Sequence, residues 1–148
     1  MKNLFILALL AISISTSAFA TGENKVGSVV LNSFKVDFKG AKEVSWSSRT
    51  GYAKAAFKLD NREMEVFYKS DGSIFAVSKK IELDELPVDA KRSFAKRYEG
   101  YTVKEAIAFE SADEDAFYIS AENEKESVIL KVDQHESLYR LKTSKRPR

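Results

Sequence analysis

The chain has 148 residues, 24 Lys and Arg against 22 Asp and Glu, and no cysteine. Disulfides and a lipid anchor on cysteine are thereby excluded. The formal net charge of +2, one less without Lys2, lacks the basic excess with which nucleic-acid binders displace counterions from phosphate.

Residues 1–20, MKNLFILALLAISISTSAFA, have the layout of a secretory signal peptide. Lys2 is the charged start, Leu4 to Ile14 the apolar centre, and Ala18-Phe19-Ala20 the cleavage signal. The apolar run is shorter than the ~20 residues of a spanning helix, so the mature chain is expected to begin at Thr21 with no membrane span. The mature chain is of a size for one domain.

Val26, Val30, Phe34 and Phe38 recur every fourth residue, with Val29 alongside, and predict a helix that Lys39-Gly40 ends. Alternation then takes over. Val44 and Trp46 alternate with polar residues, Arg49-Thr50-Gly51 reads as a turn, and strands are predicted over 52–59, 64–68 and 74–81, separated by Asp60-Asn61 and Ser70-Asp71-Gly72. Leu86, Ala90, Phe94 and Tyr98 predict a second helix with Pro87 in its first turn and a stop at Glu99-Gly100. Strands are predicted again over 103–109, 116–121, 128–132 and 138–141. The stretches SFKVDFKG and SFAKRYEG also echo one another at a constant spacing, Ser33 to Ser93, Phe34 to Phe94, Phe38 to Tyr98 and Gly40 to Gly100.

The resulting expectation is an α+β fold made of two tandem repeats, 26–81 and 84–142. Each repeat is one helix followed by a three- or four-stranded antiparallel meander, and the two share one sheet with both helices on one face. Two such units would pool a core that one of about 60 residues holds only marginally. Residues 143–148 are expected to be a frayed basic tail with weak attraction to anionic partners. Lys91, Arg92, Lys96 and Arg97 read as a solvated helix face.

Catalytic chemistry finds little to assemble from. His135 is the only histidine and falls in a predicted turn, and without cysteine neither a zinc site nor a Ser-His or Cys-His nucleophile is indicated. Asp113, Glu114 and Asp115 lack the spacing and glycine of a calcium loop and read as a solvated hairpin. There is no Gly-rich phosphate loop and no singled-out carboxylate pair. No enzyme, metal or cofactor is expected.

The stretches FKVDFKGAKEVSW, YAKAAFKLDNREMEVFYKSDGSIFAVSKKI and LDELPVDAKRSFAKRYEGYTVKEAIAF resemble the periplasmic PepSY-like proteins, also called β-lactamase-inhibitor-like proteins. The carriers are Phe38-x-Gly40-Ala41-x-x-Val44-x-Trp46, the FYKSDG turn from Phe67 to Gly72, and Leu86-Pro87 opening a helix that ends Tyr98-x-Gly100. The resemblance covers residues 26 to 142. It implies the fold described above, export to the periplasm or beyond, and no assigned chemistry. Asp133-Gln134-His135, standing where the first half has Asp71-Gly72, departs from the pattern and predicts a longer turn.

If Trp46, Phe57 and Val66 face the helices, alternation turns Tyr52, Lys54, Phe67, Lys69 and Phe75 to the other face of the sheet. Three aromatics interleaved with two lysines on an open surface suit recognition of an extracytoplasmic protein or peptide. The sequence thus points to an exported, noncatalytic binding protein, with inhibition or modulation of another extracytoplasmic protein suggested by the resemblance. The alternative is a structural or accessory envelope protein that recognises a cell-wall or small-molecule component.

Overall fold

A computed structural model describes residues 25–146. The expected leader and the cleavage before Thr21 lie outside the described residues. In chain order the elements are α1 (Ser28–Asp37), β1 (Lys42–Arg49), β2 (Tyr52–Leu59), β3 (Arg62–Tyr68), β4 (Ile74–Lys80), a short 3-10 turn (Leu83–Glu85), α2 (Val88–Arg97), β5 (Thr102–Ser111), β6 (Asp115–Glu122), β7 (Glu126–Val132) and β8 (Leu138–Lys145). The strands form one antiparallel sheet whose spatial order is their order in the chain.

Local chemistry sets the joints. Asp60 and Asn61 both adopt positive φ, the paired left-handed conformation of a tight hairpin turn, and Leu59 pairs with Arg62 across them. The β3–β4 turn needs its glycine twice over. Gly72 sits at φ +83, and a Cβ there would come within 2.7 Å of Ser33 Oγ and 2.9 Å of Val29 Cγ1, so the turn packs directly on α1. Before α2, the Glu85 carboxylate accepts from the Glu82 backbone N–H at 2.9 Å and also holds Arg62 at 2.7 Å, tying the connection to β3. Pro87 is the cap that precedes α2 rather than a first-turn residue.

Both helices lie on the same face. The register aligns Phe57, Met64, Lys79, Ala108, Phe117 and Val132 in one row across the sheet, which fixes a common side for β2 through β7. On that side Val30 and Phe34 of α1 pack against Trp46, Ala55, Phe57, Val66 and Tyr68. Leu86, Ala90, Phe94 and Tyr98 pack against Ala106, Ile119, Leu130 and Val132. Phe34 is an aromatic hub, with ring centroids 5.5, 5.1 and 5.0 Å from Phe38, Trp46 and Phe57. Tyr98 lies between the Arg97 and Arg140 guanidinium groups, 5.8 and 5.4 Å from its ring centroid, and accepts from Arg140 Nε at 3.2 Å.

The α+β class and the single sheet agree with the sequence reading, but its division into two tandem helix-plus-meander repeats is corrected. The eight strands lie side by side in chain order in one sheet, and α2, between β4 and β5, does not break that order. Strands β4 and β5, which the division would separate, pair from Ala76↔Ser111 to Lys80↔Ile107. A third apolar cluster crosses the expected boundary, burying Phe67 and Ala76 with Ile107, Phe109, Ala116 and Tyr118. The echoed segments report a similar local solution for ending a helix, whereas the sheet hydrogen bonds and this cluster belong to the whole. The expectation of a frayed tail from residue 143 is corrected for residues 143–146. Thr143, Ser144 and Lys145 extend β8 and pair with Val128, Ser127 and Glu126, and Arg146 donates to the Asn123 carbonyl.

Candidate functional site

The face of the sheet opposite α1 and α2 carries the third apolar cluster. No element among the described residues lies over it. Tyr52, Phe67 and Phe75 form a triangle of rings with centroids 6.0, 5.9 and 5.9 Å apart. The cluster continues through Ala76, Ile107, Phe109, Ala116 and Tyr118, with Ile129 and Leu141 packed at its margin. Since successive strand residues point to opposite faces, these side chains cannot share the helix-side core and bury one another instead.

Of the residues expected on this face, the structure gathers Tyr52, Phe67 and Phe75 into one cluster and sets Lys54 beside them. Ser47, Lys54, Phe67 and Ala76 are cross-strand neighbours in one row. The expectation that all five lie open to solvent is corrected. Phe67 is 2% exposed, with the Tyr52 and Phe75 rings beside it, and Lys54, paired with Glu65, is 8% exposed. Tyr52 and Phe75 are half-buried, and Lys69, in the turn after β3, is exposed.

Beside the cluster a depression of about 300 Å³ opens across β1 to β5, with Ser45, Lys58, Glu63, Ser78, Lys80 and Glu105 among its lining residues. Its charges pair across strands. Lys58 holds Glu43 at 2.7 Å, Lys80 holds Glu63 at 2.9 Å, and Lys54 holds Glu65 at 2.7 Å at its edge. The hydrogen bond to Glu43 holds the Lys58 pKa above the ordinary lysine value, and the bond to Glu63 does the same for Lys80. At the far side Tyr118 donates to Glu114 at 2.9 Å, and Lys131 pairs with the same carboxylate. Burial first, and then that bond, push the Tyr118 pKa well above the ordinary phenol value.

Alternation alone reached one end of this site and missed Ile107, Phe109, Tyr118 and Ile129. A signal for them exists in the runs EAIAF, AFYISA and VIL, which are too continuously apolar for strands with one wet face. Among the described residues there is no cluster of three or more potential metal ligands, and no helix is long and apolar enough to cross a membrane. His135 lies in the β7–β8 turn, its backbone N–H bonded to Asp133 Oδ1 at 2.9 Å.

No protein-family model matches the chain, and no curated protein matches it. Solved structures do. A BLIP-like protein from Bacteroides fragilis is 18% identical with a TM-score of 0.66, over 81% of this chain and 86% of its own. A DUF2874 family protein from Bacteroides ovatus is 21% identical with a TM-score of 0.69, over 81% and 87%. A protein of Bacteroides eggerthii, assigned provisionally to the periplasm, is 15% identical with a TM-score of 0.72, over 81% and 88%. The resemblance to β-lactamase-inhibitor-like proteins seen in the sequence therefore holds at the level of fold.

Proposed function

We propose that this is an exported, noncatalytic binding protein that recognises an extracytoplasmic protein through the sheet face opposite α1 and α2, as an inhibitor or modulator of that partner. The carrying observation is the aromatic cluster centred on Tyr52, Phe67 and Phe75, on the sheet face opposite α1 and α2. Buried Phe67 makes the platform rigid, while half-buried Tyr52 and Phe75 and exposed Lys69 stand where a partner meets them. Rigid aromatic side chains anchor interfaces because they remove much apolar area from water while losing little rotamer entropy. The shared fold with a BLIP-like protein and with a protein assigned to the periplasm supports this reading, as does the leader-like start of the sequence.

The depression favours a second reading, recognition of a cell-wall or small-molecule component, because paired lysines and glutamates ring a volume at the lower end of ligand sites. Capture from an envelope fraction separates the two. The first reading expects a stoichiometric protein that Tyr52→Ser with Phe75→Ser no longer retains. Retention on purified wall material alone, weakened by Lys80→Ala and unchanged by the aromatic pair, would replace it with the second.

A further inference from the structure

Among the described residues the sheet is open, so β1 and β8 each pair with one strand and leave a row of main-chain donors and acceptors on the other side. The two edges are guarded differently. From Leu138 to Lys145, β8 carries Arg140, Lys142 and Lys145 and no acid, so pairing it with another β8 sets cations against cations. Edge β1 is interrupted near Lys42 by a bulge with Glu43 at φ +52, but from Val44 to Ser48 it carries neither charge nor proline.

The hairpin turn fixes which way the backbone of β1 points. Arg49 pairs with Tyr52 across the two-residue turn, so Arg49, Ser47 and Ser45 direct their N–H and C=O groups to β2, and those of Trp46 and Ser48 point outward. We propose that β1 is the interface for a second copy of this chain, paired antiparallel about a two-fold axis at Ser47. Trp46 then lies opposite Ser48 of the other copy and exchanges main-chain hydrogen bonds with it, twice by symmetry, about four bonds in all. The register is self-complementary. Ser47 faces Ser47, Ser45 faces Arg49, and Glu43, whose side chain is 66% exposed, lies diagonal to Arg49 of the other copy, so no like charges oppose. Two sheets become one, and the two Tyr52–Phe67–Phe75 clusters flank the axis on one continuous face opposite the α1 and α2 helices.

The absence of native cysteine makes a clean test. At the axis the two Ser47 residues form a non-hydrogen-bonded pair with Cα atoms about 4.5 Å apart, within disulfide reach. Under mild oxidation S47C is expected to form covalent dimer at least about tenfold faster than S144C, a control on β8, and the native protein to sediment as a dimer as concentration rises. Adding S48P to S47C is expected to abolish the fast cross-linking. Proline there removes an outward N–H and leaves every β1–β2 bond in place, a position edge strands tolerate. Cross-linking of S47C no faster than S144C overturns the proposal, as does a native protein monomeric to about 1 mM. If S48P fails to fold, the S47C and S144C comparison decides alone.

Discussion

At the scale of single residues, the most informative positions are those where the fold asks for something only one side chain supplies. Gly51 and Gly72 both hold positive φ, but a Cβ at Gly51 meets nothing within 4 Å, whereas one at Gly72 strikes Ser33 and Val29. Gly51→Ala is therefore expected to cost only the left-handed strain, about 1 kcal/mol, and Gly72→Ala roughly 1 to 3 kcal/mol more as the turn is pushed off α1. Urea unfolding of the two variants measures the difference, and equal losses would mean that the turn does not bear on the helix. Tyr68 supplies a second case. Burial, then its hydrogen bond to Asp37 at 3.1 Å, holds its pKa well above the ordinary phenol value, as burial and Glu114 do for Tyr118. A phenol that ionises less readily in the fold than in the unfolded chain contributes its full stability below the unfolded pKa near 10 and loses it as pH rises toward the folded value. Stability should thus fall steeply above about pH 10, and Tyr68→Phe, which costs about 1 kcal/mol at neutral pH, should flatten that fall. An alkaline profile identical to the native one would rule Tyr68 out as its source.

At the scale of elements, the two helices are anchored by equivalent residues in unequal surroundings. Phe34 touches three rings, whereas Phe94 stacks on Tyr98 with centroids 5.6 Å apart. Truncation to alanine should cost about 3 to 5 kcal/mol at each, with Phe34 at the upper end, and the double variant should lose close to the sum because the residues sit in separate clusters. Strong non-additivity in denaturant titrations would show that the helix-side core is one cooperative body. These helices were legible in the sequence because steps of four residues and a closing glycine are local signals. The hairpin turns were legible for the same reason, Asp60-Asn61 above all. The 3-10 turn at Leu83–Glu85 was not, since it is fixed by the reach of Glu85 to Glu82 and Arg62 rather than by apolar spacing. Nor was the extension of β8 to Lys145, which depends on pairing with Glu126 and its neighbours.

At the scale of the whole molecule, strand alternation gives the direction of a side chain but not what covers it, and Phe67 shows the consequence. Its turn to the face opposite the helices was readable from Trp46, Phe57 and Val66. Its burial involves residues far apart in the chain, Tyr52 and Phe75 from neighbouring strands and a cluster continuing into β5 and β6. The residues on this face therefore divide into support and contact. Phe67→Ser removes a ring that is 2% exposed and should cost about 3 to 5 kcal/mol, losing binding and stability together. Tyr52→Ser with Phe75→Ser removes half-buried rings and should cost about 1 to 2 kcal/mol, leaving a folded protein in thermal melts. Affinity for the captured envelope partner should meanwhile fall at least about tenfold, since loss of two aromatic anchors exceeds the ~1.4 kcal/mol that a decade of affinity represents. Binding of the double variant is to be measured well below its melting temperature, so that partial unfolding does not imitate lost contact. A folded double variant that binds as the native chain does would move recognition to the turns or the helix side. The aromatic cluster would then be a second core on the sheet face opposite α1 and α2.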